Sequence, residues 1–226
     1  MDENKNKMIK HNTKHLILCE GIDEKLFFMW YLDYFKKQPM YTKFNDIQLE
    51  DIGGNEDIKK QLGLWKLVSG FEQLKTIGII RDAEKDADAA IRSINQCFTD
   101  NEFVAPDAPF VLKINDNASN TIYGVLPGFD ENGVLQNGTL EDLCLQILKD
   151  EQSESKMDMI QGYLKELQTK FNYQIHHIHK SKLHTYFASD DRYIGSKIGQ
   201  AAKIGAFDFE SKSLAPFRRM FESLTD

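Results

Sequence analysis

Apolar positions along this chain follow two rhythms. His15-Leu-Ile-Leu-Cys19 and Thr76-Ile-Gly-Ile-Ile80 are short unbroken runs with the length and β-branched content of buried strands. Ile47 to Ile52 alternates apolar with polar residues, which predicts a half-exposed strand ending at Gly53-Gly54-Asn55. Between these runs the spacing becomes helical. Leu26, Phe27, Trp30, Tyr31 and Tyr34 or Phe35 recur behind Asp23, which reads as an N-cap, and Pro39 follows the end of that helix. Asn55 or Glu56 opens a second helix to about Val68, and Ala87 to Phe98 forms a third. The order β-α-β-α-β-α predicts a mostly parallel sheet with right-handed crossovers and a ligand site along its carboxyl edge.

Pro106 and Pro109 mark a loop, after which Phe110 to Ile114 reads as a fourth strand. Thr121 to Leu126 reads as a fifth, with an antiparallel orientation left open. Pro127 to Gly133 is turn chemistry, and Thr139 caps a helix with Glu141 and Asp142 in its first turn, where the macrodipole favours acids. From Ser155 onward only helical spacing appears, over 156–171, 181–188, 199–203 and 215–224. The expected organisation is an α/β domain over residues 1–150 with a helical extension, 151–226, packed on it.

Composition narrows the function. With 28 basic and 35 acidic residues the formal charge is -7, which argues against a sequence-wide electrostatic footprint for nucleic acid while leaving room for a local basic channel. The three cysteines, Cys19, Cys97 and Cys144, lie in apolar surroundings without C-x-x-C spacing, as expected of reduced core cysteines in a cytoplasmic protein. No apolar N-terminal segment is present, and Leu26 to Phe35 is too short for a membrane span and contains Asp33, so no membrane role is expected.

The candidate chemistry starts where the Thr76 run turns into charge. Asp82, Glu84, Asp86 and Asp88 fall on every second residue. While the chain stays extended, Asp82 and Glu84 project together, and two adjacent carboxylates call for a hard cation such as Mg²⁺. Asp86 or Asp88 is explained as well by capping the helix that follows. Glu20-Gly21 and Gly53-Gly54 end the other two strands on the same edge. Gly53 and Gly54 either bring backbone N–H groups to a phosphate or simply make a turn. His176, His177 and His179 lack zinc spacing and read as a surface turn. Lys180 and Lys182 beside them are either solvated or aimed at a phosphate.

Glu20-Gly21 closing one strand and Asp82-Ala-Glu84 closing another together resemble a Toprim domain. This is the metal-binding α/β domain shared by topoisomerases, bacterial primases and nucleases of the overcoming-lysogenization-defect class. Leu-Cys-Glu-Gly-x-Asp at 18–23, Ile-Ile-Arg-Asp-Ala-Glu at 79–84, Leu-Glu-Asp-Leu at 140–143 and Ile-Gly-Gln-Ala-Ala-x-x-Gly-Ala-Phe at 198–207 are similar to a family of small stand-alone Toprim-like bacterial proteins. The resemblance implies a Toprim-like sheet and Mg²⁺ (or Mn²⁺) held by Glu20, Asp82, Glu84 and Glu141. It further implies a proton moved by Glu20 and a phosphate contact from Lys182 or Lys180. The activity implied is phosphodiester cleavage in DNA or RNA. The alternative is a non-catalytic or partner-dependent module working with a separate ATPase, in phage defence. Oligomeric state stays open, a homodimer included. Glu84 departs from the family pattern, which has Asp there, and no tyrosine, zinc module or primase partner domain points to a full topoisomerase or primase.

Overall fold

The computed structural model describes residues 7–53, 58–150 and 154–225. Four strands form one sheet: β1 (His15–Cys19), β2 (Ile47–Asp51), β3 (Thr76–Asp82) and β4 (Asn120–Leu126), in the order β2-β1-β3-β4. Every pairing is parallel, with Cys19 opposite Asp51 on one side and Ile80 on the other. The helices α1 (Ile22–Lys36), α2 (Ile58–Trp65) and α3 (Ala87–Asp100) supply the crossovers. After β4 come α4 (Leu140–Asp150), α5 (Glu154–Phe171), α6 (Ile178–Ala188), α7 (Ile198–Lys203) and α8 (Ala215–Ser223). A mostly parallel α/β sheet flanked by helices, with further helices at the C-terminal side, is therefore the architecture.

The unbroken apolar runs are explained by burial on both faces. Alternate residues of β1 point to opposite sides. Leu16 and Leu18 pack with helices α2 and α3, through Leu62, Trp65, Ile94 and Phe98, whereas Ile17 and Cys19 face α1 and the later helices. The larger core lies on the α1 side. There Phe27, Phe28, Tyr31 and Phe35 of α1 meet Phe207, Phe209, Phe217 and Phe221. The rings are tilted against one another, with centroids 4.9 Å apart in the Phe28–Phe217 pair and 6.0 Å in the Tyr31–Phe221 pair. Each fully buried ring of this kind contributes about 1.5–3 kcal/mol of transfer free energy. Gly199 lets α7 lie directly on α1, since a Cβ there would stand 2.5 Å from Leu26 Cβ.

The structure departs from, or decides, three local expectations. Phe110 to Ile114 is not a strand. Phe110 takes φ 64°, which bends the run away from extended geometry, and only Lys113 bridges to Thr121. The strand that begins at Asn120 runs parallel to β3, not antiparallel, because α3 first carries the chain back to the starting end of the sheet. The N-cap of α1 is Gly21 rather than Asp23, which lies in the first turn. Asp86 does cap α3, accepting from Ala89 N–H at 2.9 Å. The expected start of the second helix at Asn55 or Glu56, and Gly54, lie outside the described residues. Cys19, Cys97 and Cys144 are buried and form no disulfide among the described residues. Among the described residues no helix is long and apolar enough to cross a membrane.

Candidate functional site

The carboxyl ends of β1, β2 and β3 border a cavity of about 420 Å³ whose wall holds five carboxylates, Asp23, Glu24, Asp51, Asp82 and Glu141, and one ammonium, Lys180. The parallel neighbours β1 and β3 explain the centre of this arrangement. Glu20 follows β1 directly and extends the ladder by one bond, its N–H donating to Ile80 O at 3.1 Å. Its Oε2 accepts from Asp82 N–H at 3.2 Å and lies 3.4 Å from Arg81 Nε. Burial raises the Glu20 carboxyl above its ordinary range, opposed by the Arg81 guanidinium.

Asp82 ends β3, and its Oδ1 accepts the Leu140 N–H at 3.0 Å, so it also caps α4. Burial, then the charges of Glu24, Glu20, Glu141 and Glu84, push Asp82 up to about 9. The same combination of burial and neighbouring carboxylates takes Glu24, in the first turn of α1, to about 7. Glu141 behaves differently. Burial alone would raise it, but its own backbone N–H, the Thr139 hydroxyl donating at 2.9 Å and Lys180 Nζ at 3.1 Å hold it below the ordinary range. Asp23 accepts the Gly199 N–H at 3.2 Å, which ties α7 to the rim.

The structure thus brings Glu20, Asp82, Glu141, Lys180 and Gly53 to one edge, with Gly53 at φ 89° on the cavity wall. Glu84 does not join the wall. The strand stops at Asp82, Ala83 is buried, and Glu84 takes φ 54° with its N–H on Gly138 O at 2.8 Å, so the two-residue alternation has ended and its side chain is exposed. Its charge still reaches Asp82 and Glu20. Lys182 points elsewhere, donating to Gln161 Oε1 at 3.1 Å beside a second depression that includes Asp142 and His179, which touch one another. Among the described residues no group of three or more His, Cys, Asp or Glu side chains is disposed to hold a metal ion. Glu20 faces Arg81, Asp82 faces Leu140 N–H and Glu141 faces Lys180, rather than one common point.

Asp23, Glu24 and Asp51 are the wall residues that sequence reasoning left out. The available signal was position: Glu24 lies in the first turn after the Glu20-Gly21 strand end, and Asp51 ends β2.

Residues 14–226 match the family described as "Protein of unknown function (DUF3226)". No curated protein matches the chain. Two solved structures of the C-terminal region of the Xanthomonas campestris pv. campestris OLD protein, one phased with mercury and one with iodine, are similar to it. The first has 13% identity and a TM-score of 0.42, covering 96% of this chain and 97% of that one. The second has 14% identity and a TM-score of 0.41, covering 96% of both.

Proposed function

The chain belongs to the DUF3226 family, whose description assigns no activity, and from its own site we propose a divalent-cation-dependent phosphodiesterase of Toprim type acting on nucleic acid. One observation supports this most: Asp82, half-buried at the carboxyl end of a parallel sheet among four further carboxylates, is pushed up to about 9. A carboxylate so placed ionises at neutral pH when a cation is supplied. The donor set is all carboxylate oxygen, which suits Mg²⁺ or Mn²⁺ rather than a soft metal. To hold the ion, Glu20, Asp82 and Glu141 would have to turn from Arg81, the Leu140 N–H and Lys180 toward one point, with Glu24 beside them and Glu84 at the edge. Bound there, it would supply Lewis acidity toward a phosphoryl oxygen and the positive charge that clustered carboxylates and a polyanionic substrate require.

The remaining work falls to the chain itself. Lys180, which lines the cavity and pairs with Glu141, would meet a phosphate oxygen as a point charge once Glu141 turns from it. Gly53, without a side chain, leaves backbone room for the substrate on the β2 side. Glu20 keeps Asp82 in position through the backbone N–H contact.

A second reading, a non-catalytic module that acts with a separate ATPase, is favoured by the private partners of Glu20, Asp82 and Glu141. Cleavage of supercoiled DNA, single-stranded DNA and RNA in Mg²⁺ or Mn²⁺, comparing wild type with Asp82→Asn, separates the two. Metal-dependent cleavage lost in the variant supports the enzyme. No cleavage of any substrate by wild type favours the module.

A further inference from the structure

The opposite end of the sheet has the opposite charge. Two adjoining depressions, of about 560 and 530 Å³, share Lys14, Asp46 and Lys75 as their common wall. Lys10 borders the first and Lys43 the second, so four lysines surround one aspartate in a chain whose formal charge is -7. Asp46 is already taken by Lys14. Lys43 uses one donor on Thr225 O at 2.6 Å, which leaves two of its three. Among the described residues no carboxylate pairs with Lys75.

A second, independent feature lies in the same place. His15 is the first residue of β1, paired between Ile47 and Thr76, and it forms part of the wall of the 530 Å³ depression. The residue is 5% exposed, and its Nδ1 has no hydrogen-bond partner. Burial keeps the ring neutral, with a pKa of about 4, Asp46 opposing and Lys75 and Lys14 reinforcing that effect. An orphaned buried ring nitrogen is unfavourable unless a partner arrives. The rest of the wall mixes apolar Leu112, Leu224 and Ile114, the last 70% exposed, with polar Thr76, Asn120, Ser223 and Thr225.

We propose that the amino-terminal end of the sheet is a second binding site, for a small phosphorylated ligand of nucleotide type, formed by Lys14, Lys43, Lys75 and His15. The lysines take phosphate oxygens as point charges, and the Leu112–Ile114 wall takes the less polar portion of the ligand. The volume falls in the usual range for small-molecule sites. This site shares no wall residue with the carboxyl-edge cavity, so it stands or fails independently of the phosphodiesterase reading.

The test is titration calorimetry of the full chain in EDTA, which keeps divalent cations from the acidic cavity, with ATP, ADP, inorganic phosphate and a single-stranded oligonucleotide as separate probes. Expected is saturable binding of ATP or ADP, weakened about tenfold by Lys75→Ala and by Lys43→Ala, the loss of one charge-assisted contact each. Both lysines are exposed, so these variants should melt like wild type. Asp82→Asn should bind as wild type does, and the His15 ring nitrogen resonances should move on ligand addition. Inorganic phosphate alone binding as tightly as ATP would overturn the nucleotide assignment, and binding of the oligonucleotide alone would overturn the small-ligand assignment. The site itself is refuted by no heat with any probe at about 10 mM, well above the weakest specific affinities, or by binding that both lysine variants leave intact.

Discussion

Asp82→Asn should make the cation-free protein more stable, not less. The folded carboxyl keeps its proton to about 9 against an ordinary value of 3.8, because the fold buries it among other acids. The folded state therefore binds this proton more tightly than the unfolded state, and stability is greatest below the unfolded value and falls as pH rises toward 9. At pH 7, roughly three units above the unfolded value, the penalty is about 4 kcal/mol at 1.36 kcal/mol per unit. Asparagine avoids it and still offers an oxygen to the Leu140 N–H. The stability gap between variant and wild type should thus be small at pH 4 and widen by about 1.4 kcal/mol per unit to about 4 kcal/mol at pH 7. Urea unfolding at pH 4, 5, 6 and 7 in EDTA reads this directly. For a chain of this size the pH 7 gap corresponds to a rise in Tm of about 10 °C. Adding Mg²⁺ should stabilise wild type by mass action and the variant far less. A gap that does not change with pH, or a variant less stable than wild type at pH 7, would refute the account of Asp82 as a strained acid.

Lys180→Ala should lower metal-dependent cleavage about a hundredfold, near 3 kcal/mol of barrier, whereas Lys182→Ala should stay within about twofold; turnover measurements in Mn²⁺ check both. Glu84→Gly should stabilise the fold by about 1 kcal/mol in urea, since it relieves a left-handed φ of 54° and removes a charge that Asp82 feels. Gly199→Ala should destabilise by about 2 kcal/mol, because the new methyl would meet Leu26 Cβ at 2.5 Å, and the urea midpoint should fall without a change in slope.

The legible parts of the fold were those written locally. The runs at His15 and Thr76 became β1 and β3 at nearly the expected bounds, because strands buried on both faces need uninterrupted apolar residues. Phe110 to Ile114 has the same composition, but its path is decided by a left-handed Phe110 and by where the chain must enter β4, neither of which is encoded in hydropathy. Glu20 and Asp82 could be placed on one edge because both end parallel strands. Their direct contact also requires β1 and β3 to be neighbours, which is a matter of strand order. Glu84 was misplaced by extending strand alternation two residues too far. Asp23 also ties the rim to Gly199, 176 positions away, a distance over which no local pattern speaks.

The aromatic layer between α1 and the late helices has a consequence for how the chain is made. Phe27, Phe28 and Tyr31 leave the ribosome about 180 residues before Phe207, Phe209, Phe217 and Phe221, which cover them. Until α8 clears the ribosome, the rings of α1 that Phe217 and Phe221 cover are exposed to solvent or to a chaperone. The α2 and α3 side meets a shorter delay, since both of its helices are complete by Asp100. A stalled or prematurely terminated product would thus be half folded and sticky on one side, and its fate would be decided by quality control rather than by its own equilibrium.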